Sequence, residues 1–213
     1  MSISRVLFFC LCFYGISCSF SRLETSTPSV IFVDGFDYPV GRSFLQGGAG
    51  YVSASNDGDG YYNAQDFIEN GHCGEDWNGE GGGNTDYGDP VYSIADGVVT
   101  AAGDYGSSWG NIITIEHYLH GVSDAKYEII ESQYAHLSIM NVSVGDPVTR
   151  GQKIGEIGNA DGTYLAHLHF ELRWDEEAGA TSNGAYWCRT PEEAEQQGWI
   201  DPSTFIDATR KWP

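Results

Sequence analysis

Between residues 91 and 174 the chain repeats one device, a short apolar or β-branched run followed by a turn built on glycine. The runs are Val91–Ile94, Gly97–Ala102, Asn111–His117, Lys126–Leu137, Val148–Arg150, Lys153–Ile157 and Ala166–Trp174. Turn signals such as Asp96-Gly97, Gly145-Asp146 and Asp161-Gly162 fall between them or at their edges. Stretches such as Ile112-Ile113-Thr114-Ile115 suit a pleated, half-buried strand. Strands at this spacing predict an all-β fold, an antiparallel sandwich or barrel with long loops. A content of 28 Gly and 7 Pro in 213 residues agrees with many turns and few long helices. One short helix is expected near the C-terminus. There Thr190-Pro191-Glu192-Glu193 supplies a capping hydroxyl, a proline at the first helical position and a glutamate three residues after the cap. The glycines of Gly151-Gln-Lys-Ile-Gly155-Glu-Ile-Gly158 lack the Gly-Lys-Ser/Thr triplet of a phosphate-binding loop, so this piece reads as a strand between two turns.

The N-terminus has a different character. Arg5 precedes the apolar run Val6–Ile16, which is short for a membrane span, and the small residues Ser17, Cys18 and Ser19 follow it. This pattern predicts a signal peptide over residues 1–19 and an exported protein (periplasm, cell surface or extracellular space). Acylation at Cys18 is the alternative. Residues 20–29 read as a linker, 30–70 as an N-terminal lead with loops over 44–65, and 71–213 as the main domain. No later stretch is apolar enough to span a bilayer. Of five cysteines only Cys73 and Cys188 lie beyond the leader, and an oxidising compartment favours a bridge between them. Acidic residues number 30 against 10 basic, a net charge of −20. That balance argues against a nucleic-acid partner, which needs clustered Lys and Arg. It repels polyanions and attracts peptides with free amines.

The chemistry lies in the histidines. His167 and His169 stand two apart in an alternating run, so on a strand both imidazoles share one face. His72 and Asp76 lie four apart in a segment whose glycines disfavour a helix, so a folded-back loop is expected to bring them together, with Asn78 nearby for outer support. His136 ends a strand-like run. His117 and His120 read as structural or solvated. His72, Asp76 and one histidine of the 167/169 pair make three ligands of the kind that hold zinc with a fourth position left for water. The other histidine of the pair and His136 would then move protons and stabilise an oxyanion, a sufficient set for metal-assisted amide hydrolysis. Two histidines and a carboxylate also form the facial triad of non-haem iron oxygenases, but two further imidazoles have no place in that chemistry. Trp77, Trp109, Tyr164 and Trp174 are candidates for a groove wall or for core packing.

Taken in order, the motifs resemble the lysostaphin-type, LytM-like zinc metallopeptidases. The resemblance is carried by His72-Cys-Gly-Glu-Asp76, Gly88-Asp-Pro-Val91 with Ala95-Asp-Gly-Val98, Gly110-Asn-Ile-Ile-Thr-Ile-Glu-His117, Tyr134-Ala-His-Leu137, Gly145-Asp-Pro-Val148, Gly151-Gln-Lys-Ile-Gly155 and His167-Leu-His-Phe-Glu171. It implies a duplicated hybrid motif fold and one zinc ion per chain, held by His72, Asp76 and His169. His136 and His167 would be the catalytic histidines. The implied activity is a monomeric endopeptidase acting on peptidoglycan cross-links or stem peptides. The alternative is a cell-wall binding or hydrolase-activating module of the same fold. Residues 20–70, 120–126 and 175–199 have no counterpart in the resemblance, so an occluding arm, a substrate wall or a plain lead all remain open for the first of these.

Overall fold

The computed structural model describes residues 32–41, 60–106, 108–119, 129–174 and 188–210. The leader, the linker, Cys18, His120 and the segments 121–128 and 175–187 lie outside the described residues. Among the described residues eleven strands are present: β1 (Tyr61–Gln65), β2 (Glu75–Gly79), β3 (Pro90–Tyr92), β4 (Gly97–Asp104), β5 (Asn111–Tyr118), β6 (Ile129–Leu137), β7 (Ile139–Met140), β8 (Pro147–Val148), β9 (Lys153–Glu156), β10 (Leu168–Trp174) and β11 (Trp199–Ile200). They form an eight-stranded sheet in the order β1-β2-β10-β6-β5-β4-β8, with β11 on β10, and a three-stranded sheet β3-β9-β7. Every pairing among these strands is antiparallel, and the fold is an all-β sandwich with loops, as the turn-punctuated runs predicted.

Each β-branched run identified in the sequence carries a strand. Two expectations are corrected. Tyr61–Gln65, expected in loops, is a strand, because it finds a partner edge in β2. Asp76, expected in a folded-back loop, lies on β2, which is held between β1 and β10. Glycines weaken a strand in isolation, and here paired neighbours on both edges outweigh that. Gly74 is needed for this close approach, since a Cβ there would stand 2.5 Å from the Phe170 carbonyl oxygen.

Alternation on β10 sorts its side chains. Leu168, Phe170 and Leu172 are fully buried in the main core with Trp77, Tyr134, Ile113 and Ile115. His169, Glu171 and Arg173 occupy the other face. Residues 32–41 join the same core. Phe36, Tyr38 and Val40 are buried, Phe32 bridges to Tyr118, and Phe36 bridges to Arg210. Arg210 Nη2 forms an ion pair with Asp37 Oδ1 at 2.7 Å, and Tyr38 donates its hydroxyl to Asp207 at 2.9 Å.

The expected helix is α1 (Pro191–Gln196), where Thr190 Oγ1 accepts from Glu193 N. A second helix, α2 (Pro202–Thr209), follows it, with Asp201 accepting from Thr204 N. Cys73 and Cys188 are bridged, with Cα atoms 5.1 Å apart, in a small cluster with Ala194 and Trp199. No helix among the described residues is long and apolar enough to cross a membrane.

Candidate metal centre

Three segments bring the candidate ligands together. His72 follows a short 3-10 turn over Glu69–Gly71, closed by Ile68 N donating to His72 O. Its neighbour Cys73 anchors it through the disulfide. Asp76 on β2 and His169 on β10 are direct register partners across the sheet. His72 Nε2, Asp76 Oδ1 and His169 Nδ1 are separated by 3.3, 3.0 and 2.8 Å, measured as His72–Asp76, Asp76–His169 and His72–His169. Among the described residues this is the one group of three or more His, Cys, Asp or Glu donors close enough to share an ion.

The hydrogen bonding around His169 tests whether a cation fits. Its Nε2–H donates to Glu171 Oε1 at 2.8 Å. A neutral ring in that tautomer turns its Nδ1 lone pair toward a carboxylate oxygen and a second imidazole nitrogen. Three such atoms repel one another unless a proton or a cation lies among them. Burial alone would lower the His169 pKa, but the hydrogen bonds and charges of Asp76 and Glu171 outweigh it and raise it. Burial alone would raise Asp76, but His169 and His72 hold it well below the usual carboxylate range. Zinc accepts this nitrogen and oxygen donor set at about 2.0–2.2 Å, close enough to reach all three from one point. The residues present fit a zinc ion.

The other two histidines flank the cluster. His136 sits in a β-bulge, where Ala135 and His136 together oppose Ile112 of β5, and it has a left-handed backbone with φ 63°. The Trp109 carbonyl accepts both its backbone N–H at 3.0 Å and its ring Nδ1–H at 3.1 Å. His167 lies just before β10 and donates Nδ1–H to Leu165 O at 2.8 Å. Its Nε2 lies 3.6 Å from Asp76 Oδ1. In both rings the proton on Nδ1 is committed to a backbone carbonyl, so Nε2 carries the lone pair. The two ring centroids are 4.8 Å apart. Burial, reinforced by His169 and His167, keeps His136 neutral and pushes its pKa down to about 3.

All five predicted site residues are thus gathered in one place, although Asp76 arrives on a strand. Asn78 does not support the ligands directly. It donates to Ala166 O, which holds the loop ahead of His167. Of the four aromatics, Trp77 is fully buried in the core, and Trp174 packs on Phe205. Trp109 and Tyr164 border the histidines, with Trp109 5.2 Å from the His169 ring and Tyr164 5.0 Å from the His136 ring. Glu171 and Gln133 were not among the expected residues; the two-residue spacing that puts Glu171 on the same face as His169 is a sequence signal for Glu171, whereas Gln133 is reached only through the strand register.

Comparison with known proteins identifies the family. The pattern of Peptidase family M23 matches residues 71–181, more than half of the chain, and the chain belongs to that family. It is similar to the cell division protein DipM of Caulobacter vibrioides, 34% identical over 87 residues, covering 41% of this chain and 13% of that one. It is also similar to the peptidoglycan DD-endopeptidase ShyA of Vibrio cholerae, 36% identical over 85 residues, covering 40% of this chain and 17% of that one. A third relative is the lipoprotein NlpD of Yersinia enterocolitica, 36% identical over 90 residues, covering 41% of this chain and 79% of that one. The alignments with DipM and ShyA therefore span only a small part of those longer proteins.

Proposed function

We propose that the chain is an exported zinc metalloendopeptidase that hydrolyses peptide bonds in peptidoglycan cross-links or stem peptides. The observation that carries this reading is the pairing of a three-donor cluster with two imidazoles whose Nε2 lone pairs are free for chemistry. His72, Asp76 and His169 would hold one zinc ion. When bound in a three-ligand site, zinc acts as a Lewis acid that lowers the pKa of water and polarises a carbonyl.

The protein's own groups supply the remaining steps. One of the His136 and His167 Nε2 atoms accepts the proton of the water attacking the scissile carbonyl, then returns it to the leaving amine. The other donates to the oxyanion only after its own Nε2 has taken up a proton from solvent. The carbonyls of Trp109 and Leu165 fix the orientation of the two rings. The acidic surface draws in stem peptides with free amines and repels polyanionic wall polymers. The name of ShyA supports peptidoglycan as the substrate. The domain arrangement belongs to the same proposal, with a signal peptide over 1–19, a linker over 20–29, a lead over 30–70 and a metallopeptidase domain over 71–213 acting as a monomer. The Cys73–Cys188 bridge and the lipoprotein relative support an exported location.

The test is digestion of purified sacculi by the full chain, with and without a chelator, read by mass spectrometry of the fragments. New amine-terminated peptides that vanish on chelation and return with zinc are expected. A zinc-loaded protein that binds sacculi and releases nothing would overturn the enzyme in favour of a binding module.

A further inference from the structure

We propose that Glu171, braced by Gln133, is a positioning residue that fixes His169 in the tautomer presenting Nδ1 to the metal and strengthens that nitrogen as a donor. The inference rests on the metal-centre reading above. Glu171 Oε1 accepts the His169 Nε2–H at 2.8 Å, and Glu171 Oε2 accepts from Gln133 Nε2 at 2.9 Å. Glu171 and Gln133 are direct register partners across β10 and β6, so the brace is set by the sheet itself. All three side chains are buried, with 5% of His169, 6% of Glu171 and 9% of Gln133 exposed. A buried carboxylate there is costly unless each oxygen has a donor, and here each one does.

The chemistry of the brace matters. An amide fills the second oxygen without neutralising the carboxylate, so the negative charge still acts through the His169 ring. A guanidinium on the same face, that of Arg173, directs Nε and Nη2 to Glu131 Oε1 at 3.0 and 2.8 Å, two rungs further along the same strand pair. Charge on a carboxylate behind a ligating imidazole raises the basicity of the metal-facing nitrogen, and loss of such a partner typically weakens metal binding by about 10–100-fold.

The test compares the full wild-type chain with Glu171→Gln and Gln133→Leu. Zinc affinity is read by competition with a chromophoric chelator. Wild type takes up one zinc ion, Glu171→Gln binds about 10–100-fold more weakly, and Gln133→Leu falls between them. In wild type labelled with nitrogen-15 histidine and loaded with cadmium-113, metal coupling appears at His169 Nδ1 while Nε2 stays protonated. A folded Glu171→Gln chain with unchanged affinity, or coupling at Nε2, overturns this proposal alone. Should Glu171→Gln not fold, the Gln133→Leu affinity and the wild-type coupling decide it. A wild type that takes up neither metal overturns the metal reading and this inference with it.

Discussion

Asp76 and His169 face each other as register partners across β2 and β10, with Oδ1 and Nδ1 3.0 Å apart. A sheet pairing is one of the stiffest relationships a chain can make between residues 93 positions apart. Two of the three proposed ligands are therefore fixed by backbone hydrogen bonding, and only His72 depends on a loop.

That arrangement separates ligand variants from proton-transfer variants. His169→Ala should abolish zinc retention, as measured by metal analysis after dialysis. His136→Ala should keep the zinc and lose turnover by about 10²–10⁴-fold, the usual contribution of a positioned acid or base. A His136→Ala enzyme that cleaves peptide at the wild-type rate would refute its assigned role.

Metal removal should also be visible without substrate. An ion that binds the folded chain alone stabilises it by about 4 kcal/mol at a thousandfold excess over its dissociation constant. Thermal unfolding with excess zinc should therefore occur well above that with chelator, and His169→Ala should show no such difference.

The disulfide closes a sequence separation of 115 residues and stands beside His72. Replacing both cysteines by serine should cost about 2–5 kcal/mol in denaturant unfolding. It should weaken zinc binding as well, because the loop carrying His72 loses its anchor. Equal zinc affinity in the double variant would show that the 3-10 turn alone holds that ligand.

His117 predicts a pH dependence independent of the metal centre. It is fully buried, donating Nδ1–H to Asp96 O and accepting from Ser132 at Nε2, and burial lowers its pKa to about 4. The unfolded chain takes up this proton near pH 6.5, whereas the folded chain resists until about pH 4. Stability should thus be full above pH 6.5 and fall by about 3 kcal/mol as pH drops to 4. Denaturant unfolding of His117→Gln between pH 7 and 4 should lose that part of the slope.

Most of this architecture was legible in the chain because glycine turns and β-branched runs are local signals. The legible part of the site was its residue types, since few other roles require His167 and His169 on one face with three more ligating side chains elsewhere. Strand β1 and the strand character of Asp76 were not legible, because both arise from pairing with distant partners. Helix α2 repeats in Asp201-Pro202 the cap-and-proline grammar of Thr190-Pro191, so its signal was present and went unread. The bulge at His136 and the brace at Gln133 depend on register, which composition does not reveal.

The clasp between residues 32–41 and α2 has a practical consequence. Starting the chain at residue 71 while keeping α2 would take Asp37 away from Arg210 and strip Phe36, Tyr38 and Val40 out of the core. Breaking a buried ion pair from one side costs about 3–5 kcal/mol before the lost packing is counted. The minimal folding unit is accordingly expected to begin upstream of His72, and truncation for biochemical work should spare everything from Phe32 onward.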